Sequence, residues 1–381
     1  MNPRRLVDTT LFYSPTSGGV RRYLTAKHAW FAAQSGWQHT LLVPGGAERI
    51  EPGGICTLPG IALPGSFNYR LPLNPRRWAR LLDALEPDLI ESGDAFHPAW
   101  AASRIARRRG IPCAAFFHSN LPQIIRRRVG GRISERLAGN YIRWLYERFD
   151  VVFAPSRLMV DFLEELGVGH ARHQPLGVDE TVFHPGRRGL WLRERLDVDS
   201  AARVLVYAGR FTNEKNVRVL LRAFARLGRP YHLLMIGGGR AGRLAANVTL
   251  LPYRRDGVEL AQWLASADAL VHAGTRETFG LVILEAMACG RPVVAARAGA
   301  IPELIDERSG MLAEPDDATS LADAIVALYE RDLDVLGSHG RARVLQRFTW
   351  RRTLQQQLTV YRTLLAGDAA AGVEEEWAEA G

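Results

Sequence analysis

Two glutamates, Glu277 and Glu285, mark the stretch of this chain with the clearest capacity for chemistry. They lie in HAGTRETFGLVILEAMACGRPVVAARAGAIPE, which runs from His272 to Glu303. The pattern predicts an apolar strand over Ala269–His272, a Gly-containing loop, a helix opening near Phe279, and a second strand over Pro292–Ala296. Glu277 then sits in the loop and Glu285 about a turn and a half into the helix, so both carboxylates can reach one ligand at the helix N-terminus. Gly280 lets a backbone N–H approach a phosphate with no Cβ in the way, and the helix adds the positive end of its dipole. An anionic, hydroxyl-rich ligand is the expectation.

Other residues fit the same ligand. RVLVYAGRFTNEK predicts a strand ending at Gly209, with Arg210 in the loop and Lys215 just ahead of a helix that Asn213 can cap. Two cations at the carboxyl end of a strand can neutralise a departing diphosphate. Near the start, Gly18 and Gly19 stand where a first strand gives way to a helix, a turn that admits phosphate. Alternating strands and helices through the first half indicate parallel βαβ units, whose ligand crevice lies at the strand carboxyl ends. His97, His118, Ser119 and Asn120 fall there. Gly237, Gly239 and Gly242 spell the dinucleotide fingerprint G-x-G-x-x-G, with Asp256 further on. Only five residues separate Gly242 from Val248, too few for the helix that fingerprint needs, so a dehydrogenase is excluded.

Written as E-x-F-G-x-x-x-x-E-A-M-A, then G-x-P-V-V-A, then G-x-x-x-E, the organising stretch resembles the donor-sugar motif of retaining nucleotide-sugar glycosyltransferases of family 4. The resemblance covers nearly the whole chain, tightly in the second half and loosely in the first. It implies the GT-B fold class: α/β, two Rossmann-like parallel-sheet domains facing across a cleft. It implies that Glu277 faces the sugar and Glu285 the ribose hydroxyls, with Thr278, Phe279, Gly280 and Leu281 completing the donor contact. Arg210 and Lys215 match the family's paired cations, and Gly18 and Gly19 its N-terminal glycine loop. Gly237, Gly238, Tyr253 and Arg254 become candidates for nucleoside contacts. The setting A-x-F-H-S at His118 resembles the strand end that supplies an active-site histidine in phosphatidylinositol mannosyltransferases of this family, which favours GDP-mannose as donor over a UDP-sugar. Asp197-Val198-Asp199 spells D-x-D, but ahead of a domain's first strand, so neither a metal nor another cofactor is expected.

The 381 residues, 47% hydrophobic and 23% charged, suit two globular domains. The expected organisation is an acceptor-binding domain over 1–184, a nucleotide-sugar domain over 185–345 after a linker at Pro185, Gly186 and Gly189, a returning helix over 346–365, and a disordered acidic tail over 366–381. The region GGAERIEPGGICTLPGIALPGSFNYRLPLNP reads as a short strand with long loops. Cys56, Cys113 and Cys289 have no metal-ligand spacing and read as buried thiols. No apolar run is long enough for a spanning helix and the start lacks a signal sequence, so the expected location is cytoplasmic.

Net charge is +9, and eleven arginines against two glutamates between Arg104 and Arg148 carry a like surplus. Either these arginines are solvated helix faces or they serve an anionic partner, for which membrane phospholipid and nucleic acid are the two usual candidates. Within that segment Ile125, Val129, Ile133, Leu137, Tyr141, Trp144 and Leu145 recur at helical spacing. Either a domain helix buries this stripe, or an interfacial helix presses it into an anionic bilayer at the inner membrane face. A nucleic-acid binder would leave the carboxylates without purpose, so nucleic acid is set aside. The reading is a retaining, metal-independent transferase moving a hexosyl group to a lipid or glycan hydroxyl. A nucleotide-sugar 2-epimerase and a soluble acceptor are the alternatives.

Overall fold

The computed structural model describes residues 2–14, 18–51, 53–62, 69–72, 74–120, 122, 131–254 and 256–367. The chain divides into two compact units, Met1–Pro175 with Thr353–Gly381, and Leu176–Arg352. The division falls upstream of the boundary expected near His184, because the segment after Pro175 is bonded to the second unit. The Val178 N–H donates to Phe348 O at 2.8 Å, the Gly189 N–H to Ser266 Oγ at 2.9 Å, and Arg341 reaches Phe183 O at 3.4 Å. Pro185, Gly186 and Gly189, read as linker residues, therefore belong to a folded unit. The residues beyond 367, read as an acidic tail, lie outside the described ones, as do Ile125, Val129 and Arg126 to Arg128.

In the first unit the described strands form one sheet. Its parallel part runs β4 (Ile55–Ala62), β2 (Trp37–Gly45), β1 (Arg4–Thr9), β6 (Leu89–Ser92), β7 (Cys113–Phe116), β8 (Val151–Ala154) and β9 (Ala171–His173). Short β3 (Arg49–Glu51) and β5 (Arg70–Pro72) pair antiparallel with β4. The polar region read as one strand and loops thus holds three strands among its described residues. Their apolar side chains are thinly spread, and Ile50, Ile61 and Leu71 stay exposed, so periodicity gave little sign of them. β7 and β8 are continuous apolar runs, as expected of strands buried on both faces, while β1 and β6 are equally buried at their carboxyl ends but carry Asp8 and Glu91 there. Trp78, Ile90, Ala99, Ile105, Ile142 and Leu145 pack on one face.

The second unit has the order β12 (Gly242–Ala245), β13 (Val248–Leu251), β11 (Tyr231–Ile236), β10 (Arg203–Ala208), β14 (Ala269–His272), β15 (Val293–Ala296), β16 (Gly310–Ala313). All pairings are parallel except β12 with β13. The glycine fingerprint therefore leads into a hairpin, not a helix. Asn213 is no cap: residues Asn213–Lys215 form a 3-10 turn, and Asn216 at φ 50° precedes the helix Val217–Leu227.

The final helix, Trp350–Ala366, is held in the first unit by a buried charge cluster. Lys27, fully buried, donates to Asp8 Oδ1 at 2.9 Å, Glu91 Oε1 at 2.7 Å and the Tyr361 hydroxyl at 2.7 Å. Gln357 Nε2 donates to Glu91 Oε2 at 3.0 Å, and His39 Nε2 lies 2.7 Å from Asp8 Oδ2. Burial pushes the Asp8 carboxyl up, but Lys27 and His39 outweigh it and hold it at about 2. Glu91 is raised by burial, with the charge of Asp8 adding to the rise against Lys27. Replacing Lys27 with Met leaves two buried carboxylates without their cation. Urea unfolding of the full chain at pH 7 is expected to show a loss of about 3–5 kcal/mol. With the cation gone the Asp8 carboxyl rises from its depressed value and that of Glu91 rises further, so the loss shrinks as pH falls and they protonate. A loss under about 1 kcal/mol would show that the cluster is not what retains the helix.

Candidate active site

Each candidate residue of the second unit is placed by the carboxyl end of a strand. β10 and β14 are neighbours, so Arg210 and Lys215, which follow β10, and Glu277, which follows β14, come to one end of the sheet. Lys215 Nζ donates to Glu277 Oε1, and His272 Nε2 lies 3.1 Å from the same oxygen. Burial acts to raise the Glu277 carboxyl. Lys215 and His272 reverse that and hold it below the usual carboxylate range, so Glu277 is ionised. Arg210 contacts Glu214 at 3.2 Å, and its carbonyl accepts from the Tyr207 hydroxyl at 2.7 Å. The two cations are thus each beside a carboxylate, a pairing their spacing gave no sign of.

Backbone geometry closes this end. Gly237, at φ 148°, lies so near the carbonyl of Gly209 that a Cβ would fall 1.8 Å from that oxygen. At Gly299, φ 58°, a Cβ would stand 2.7 Å from Glu277 O, and the next N–H, of Ala300, donates to that carbonyl at 2.9 Å. Gly280 takes φ 111° and immediately precedes the helix Leu281–Ala288, so the helix starts later than Phe279. Only glycine tolerates that left-handed turn readily, and the first N–H groups of the helix that follows have no carbonyl partner within it. Glu285 is buried on the fifth helical residue, and Phe279 packs edge-on against Phe348. Thr278 lies between Glu277 and this turn. Gly238 lies against Phe211, while Tyr253 is partly exposed and Arg254 pairs with Glu259 at 3.0 Å.

In the first unit, the ends of β1, β6 and β7 converge. A Cβ on Gly93 would stand 3.2 Å from the Thr10 Cβ and 3.5 Å from the His118 ring. His118 stacks on Phe116 with centroids 4.2 Å apart and lies 5.2 Å from the Tyr23 ring. Burial, reinforced by Lys27, lowers its pKa to about 3, so it is a neutral imidazole at physiological pH. Gly18 and Gly19 open the helix Gly19–Ala32, with open space where a Gly18 Cβ would stand. His97 is set apart, edge-on to Trp78 at the start of the helix His97–Arg109.

Sequence reasoning missed three residues. His272 reads as the last residue of an apolar strand. Tyr207 reads as core. Asp94 accepts from the N–H groups of Leu11 at 2.6 Å and Phe96 at 2.8 Å, tying two strand-end loops together, and burial pushes its carboxyl up to about 6. Its position just past a strand end was the only available signal.

The basic segment also differs from either simple reading. In the helix Arg132–Tyr146 the core face is Ala138, Gly139, Ile142, Leu145 and Tyr146. Ile133 is 76% and Leu137 65% exposed, so most of the described stripe faces solvent and only Leu145 is core. Beside them Trp144 packs on Trp100 at 4.9 Å, Trp100 donates to the Tyr141 hydroxyl at 2.8 Å, and the Arg148 guanidinium stands 3.7 Å over Trp144. Arg104, Arg107, Arg132 and Arg136 are exposed on the same two helices.

Two family profiles cover the chain: "Glycosyltransferase Family 4" matches residues 17–182 and "Glycosyl transferases group 1" residues 202–331. A GDP-mannose-dependent alpha-(1-6)-phosphatidylinositol dimannoside mannosyltransferase of Mycobacterium tuberculosis is 30% identical over 372 residues, spanning 93% of this chain and 95% of that one. A GDP-mannose-dependent alpha-mannosyltransferase of the same species is 31% identical over 271 residues, 70% of this chain and 71% of that one. Among solved structures, sucrose-phosphate synthase from Thermosynechococcus elongatus superposes with a TM-score of 0.80 at 22% identity, over 96% of this chain and 100% of that one. The sheets, their strand-end sites and these likenesses agree, and the chain belongs to the family 4, group 1 glycosyltransferases of GT-B fold.

Proposed function

We propose that this glycosyltransferase takes mannose from GDP-mannose, with retention of configuration and without a metal, and delivers it to a hydroxyl of a lipid or glycan at the cytoplasmic membrane face. The observation that carries the reading is the gathering of Glu277, Lys215 and Arg210 at two adjacent strand ends, beside the helix that Gly280 opens. An ionised carboxylate there suits sugar hydroxyls. Lys215, Arg210 and the helix N-terminus suit the charge that grows on a departing diphosphate. The second unit is read as the donor domain and the first as the acceptor domain, with neutral His118 as a hydrogen-bonding partner of the sugar. GDP-mannose is favoured because both mycobacterial relatives are GDP-mannose-dependent mannosyltransferases by name. For metal independence the support is the use of Asp197-Val198-Asp199. Asp199 Oδ1 accepts the Ala201 N–H at 2.7 Å in a turn before β10, at the opposite end of that strand from Lys215.

A membrane partner is favoured by the surface of the helix Arg132–Tyr146, where apolar and aromatic side chains stand in solvent among arginines. This is the composition of a face that presses into an anionic interface. No described helix is long and apolar enough to cross a membrane.

A thermal-shift series with GDP, UDP, ADP and GDP-mannose, each with and without EDTA, tests the donor. Stabilisation by GDP and GDP-mannose alone, indifferent to EDTA, is the expected result. Selective stabilisation by UDP would overturn the choice of nucleotide. Glu277→Ala is expected to lower turnover about a hundredfold. Lys215→Ala is expected to weaken donor binding. Because the two side chains are bonded, the double variant should lose much less than the product of the single losses, and independent effects would count against a shared role. Co-sedimentation is expected with phosphatidylglycerol vesicles but not phosphatidylcholine vesicles, weakening with salt and in a Trp100→Ala, Trp144→Ala variant. Equal recovery with both lipids would refute the anionic surface.

A further inference from the structure

We propose that His272 is a positioning residue that holds the Glu277 carboxylate through one fixed imidazole tautomer, set by the N–H of Gly274. The inference rests on the reading of Glu277 as the residue facing the sugar.

His272 closes β14, and its side chain is 2% exposed. Its Nδ1 accepts the backbone N–H of Gly274 at 3.1 Å. A ring nitrogen that accepts carries no hydrogen, so the hydrogen of the neutral ring is on Nε2. Nε2 faces Glu277 Oε1 at 3.1 Å, the oxygen that Lys215 also reaches. Two donors from two strand ends thus fix one carboxylate oxygen, and the direction of Oε2 follows from the rigid plane of the group. Lys215 alone could not do this, because an ammonium on a four-carbon stem attracts a carboxylate without orienting it.

Gly274 completes the arrangement. A Cβ there would stand 2.5 Å from His272 Cε1 and 3.2 Å from Glu277 Oε1, so any side chain would displace the ring or the carboxylate. Among the described residues Tyr207 also stands near the pair, its ring 6.0 Å from His272 and its hydroxyl committed to Arg210 O. A geometry held this tightly serves a carboxylate that must meet a sugar hydroxyl at one angle.

Two isosteric variants of the full chain separate the bonds. In His272→Asn the amide oxygen can take the place of Nδ1 and keep the Gly274 bond, but position 272 no longer reaches Glu277, which keeps only Lys215 of the two donors. In His272→Gln the amide N–H can take the place of Nε2. With GDP-mannose as probe, His272→Asn is expected to lower kcat about tenfold to a hundredfold, the range for one hydrogen bond to a charged group. KM and the stabilisation by GDP should not change. His272→Gln should recover most of kcat. The Glu277 carboxyl loses a donor to its ionised form in His272→Asn, so its pKa rises and the acid limb of kcat moves to higher pH. Wild-type kcat with an unmoved acid limb in His272→Asn would overturn the proposal. So would equal losses in both variants together with loss of GDP stabilisation, which would mark His272 as structural.

A second readout does not depend on the donor. Histidine-labelled protein observed by nitrogen NMR is expected to show the His272 ring protonated at Nε2 alone at neutral pH, with that signal shifting in Glu277→Gln. An Nδ1-protonated ring, or an unshifted signal, would refute the tautomer and the contact. If GDP-mannose and GDP neither turn over nor stabilise the wild type, the donor reading fails, and the NMR result still decides the role of His272.

Discussion

Two ammonium groups each meet carboxylates drawn out of water: Asp8 and Glu91, fully buried, in the first unit, and Glu277, largely covered, in the second. The chain has only two lysines among 49 basic residues, Lys27 and Lys215. Lys27 stands among Asp8, Glu91 and Tyr361 in the first unit, and Lys215 on Glu277 in the second. A buried carboxylate is costly unless a cation meets it, and the cation must itself fit without leaving donors unsatisfied. A lysine brings three rotatable donors on a compact head, whereas the planar guanidinium needs space for five. Lys27 satisfies all three donors inside the protein. Arginine everywhere else and lysine at these two points is therefore a division of labour by shape.

The two clusters do opposite work with the same chemistry. Around Lys27 every partner is buried, and the result is retention of a helix from the far end of the chain. Around Lys215 the cluster lies at strand ends, where parallel packing brings the loops of β10 and β14 side by side. Parallel sheets are covered on both faces, so a polar ligand can reach backbone N–H groups and charged side chains only at the ends of the strands. The glycines follow from this crowding. Gly237 and Gly299 let neighbouring loops touch backbone to backbone, and Gly280 turns the chain so that a helix begins at the rim.

The surface of the first unit obeys a different rule. A helix that folds onto a sheet needs only one apolar face, and the helix Arg132–Tyr146 has a second, in solvent. Trp100, Tyr141, Trp144 and Arg148 stack there into one aromatic and cationic patch. Aromatic rings with polar tips and arginines with apolar stems suit a boundary between water and lipid headgroups better than either bulk phase.

The sequence by itself determined the class of fold, the family and the order of elements around the motif, because apolar periods and turn residues act over a few positions. It placed Glu277, Arg210 and Lys215 near strand ends, and Glu285 inside the helix that follows, for the same reason. It reached its limit wherever a partner is distant along the chain. Tertiary structure decided that Lys215 meets Glu277 across 62 residues and that Tyr361 and Gln357 meet Glu91 across more than 260. It also decided which side of the basic helix is core. Ile133 and Ile142 are the same side chain on the same helix, and only the packing of that helix on its unit buries one and leaves the other in solvent.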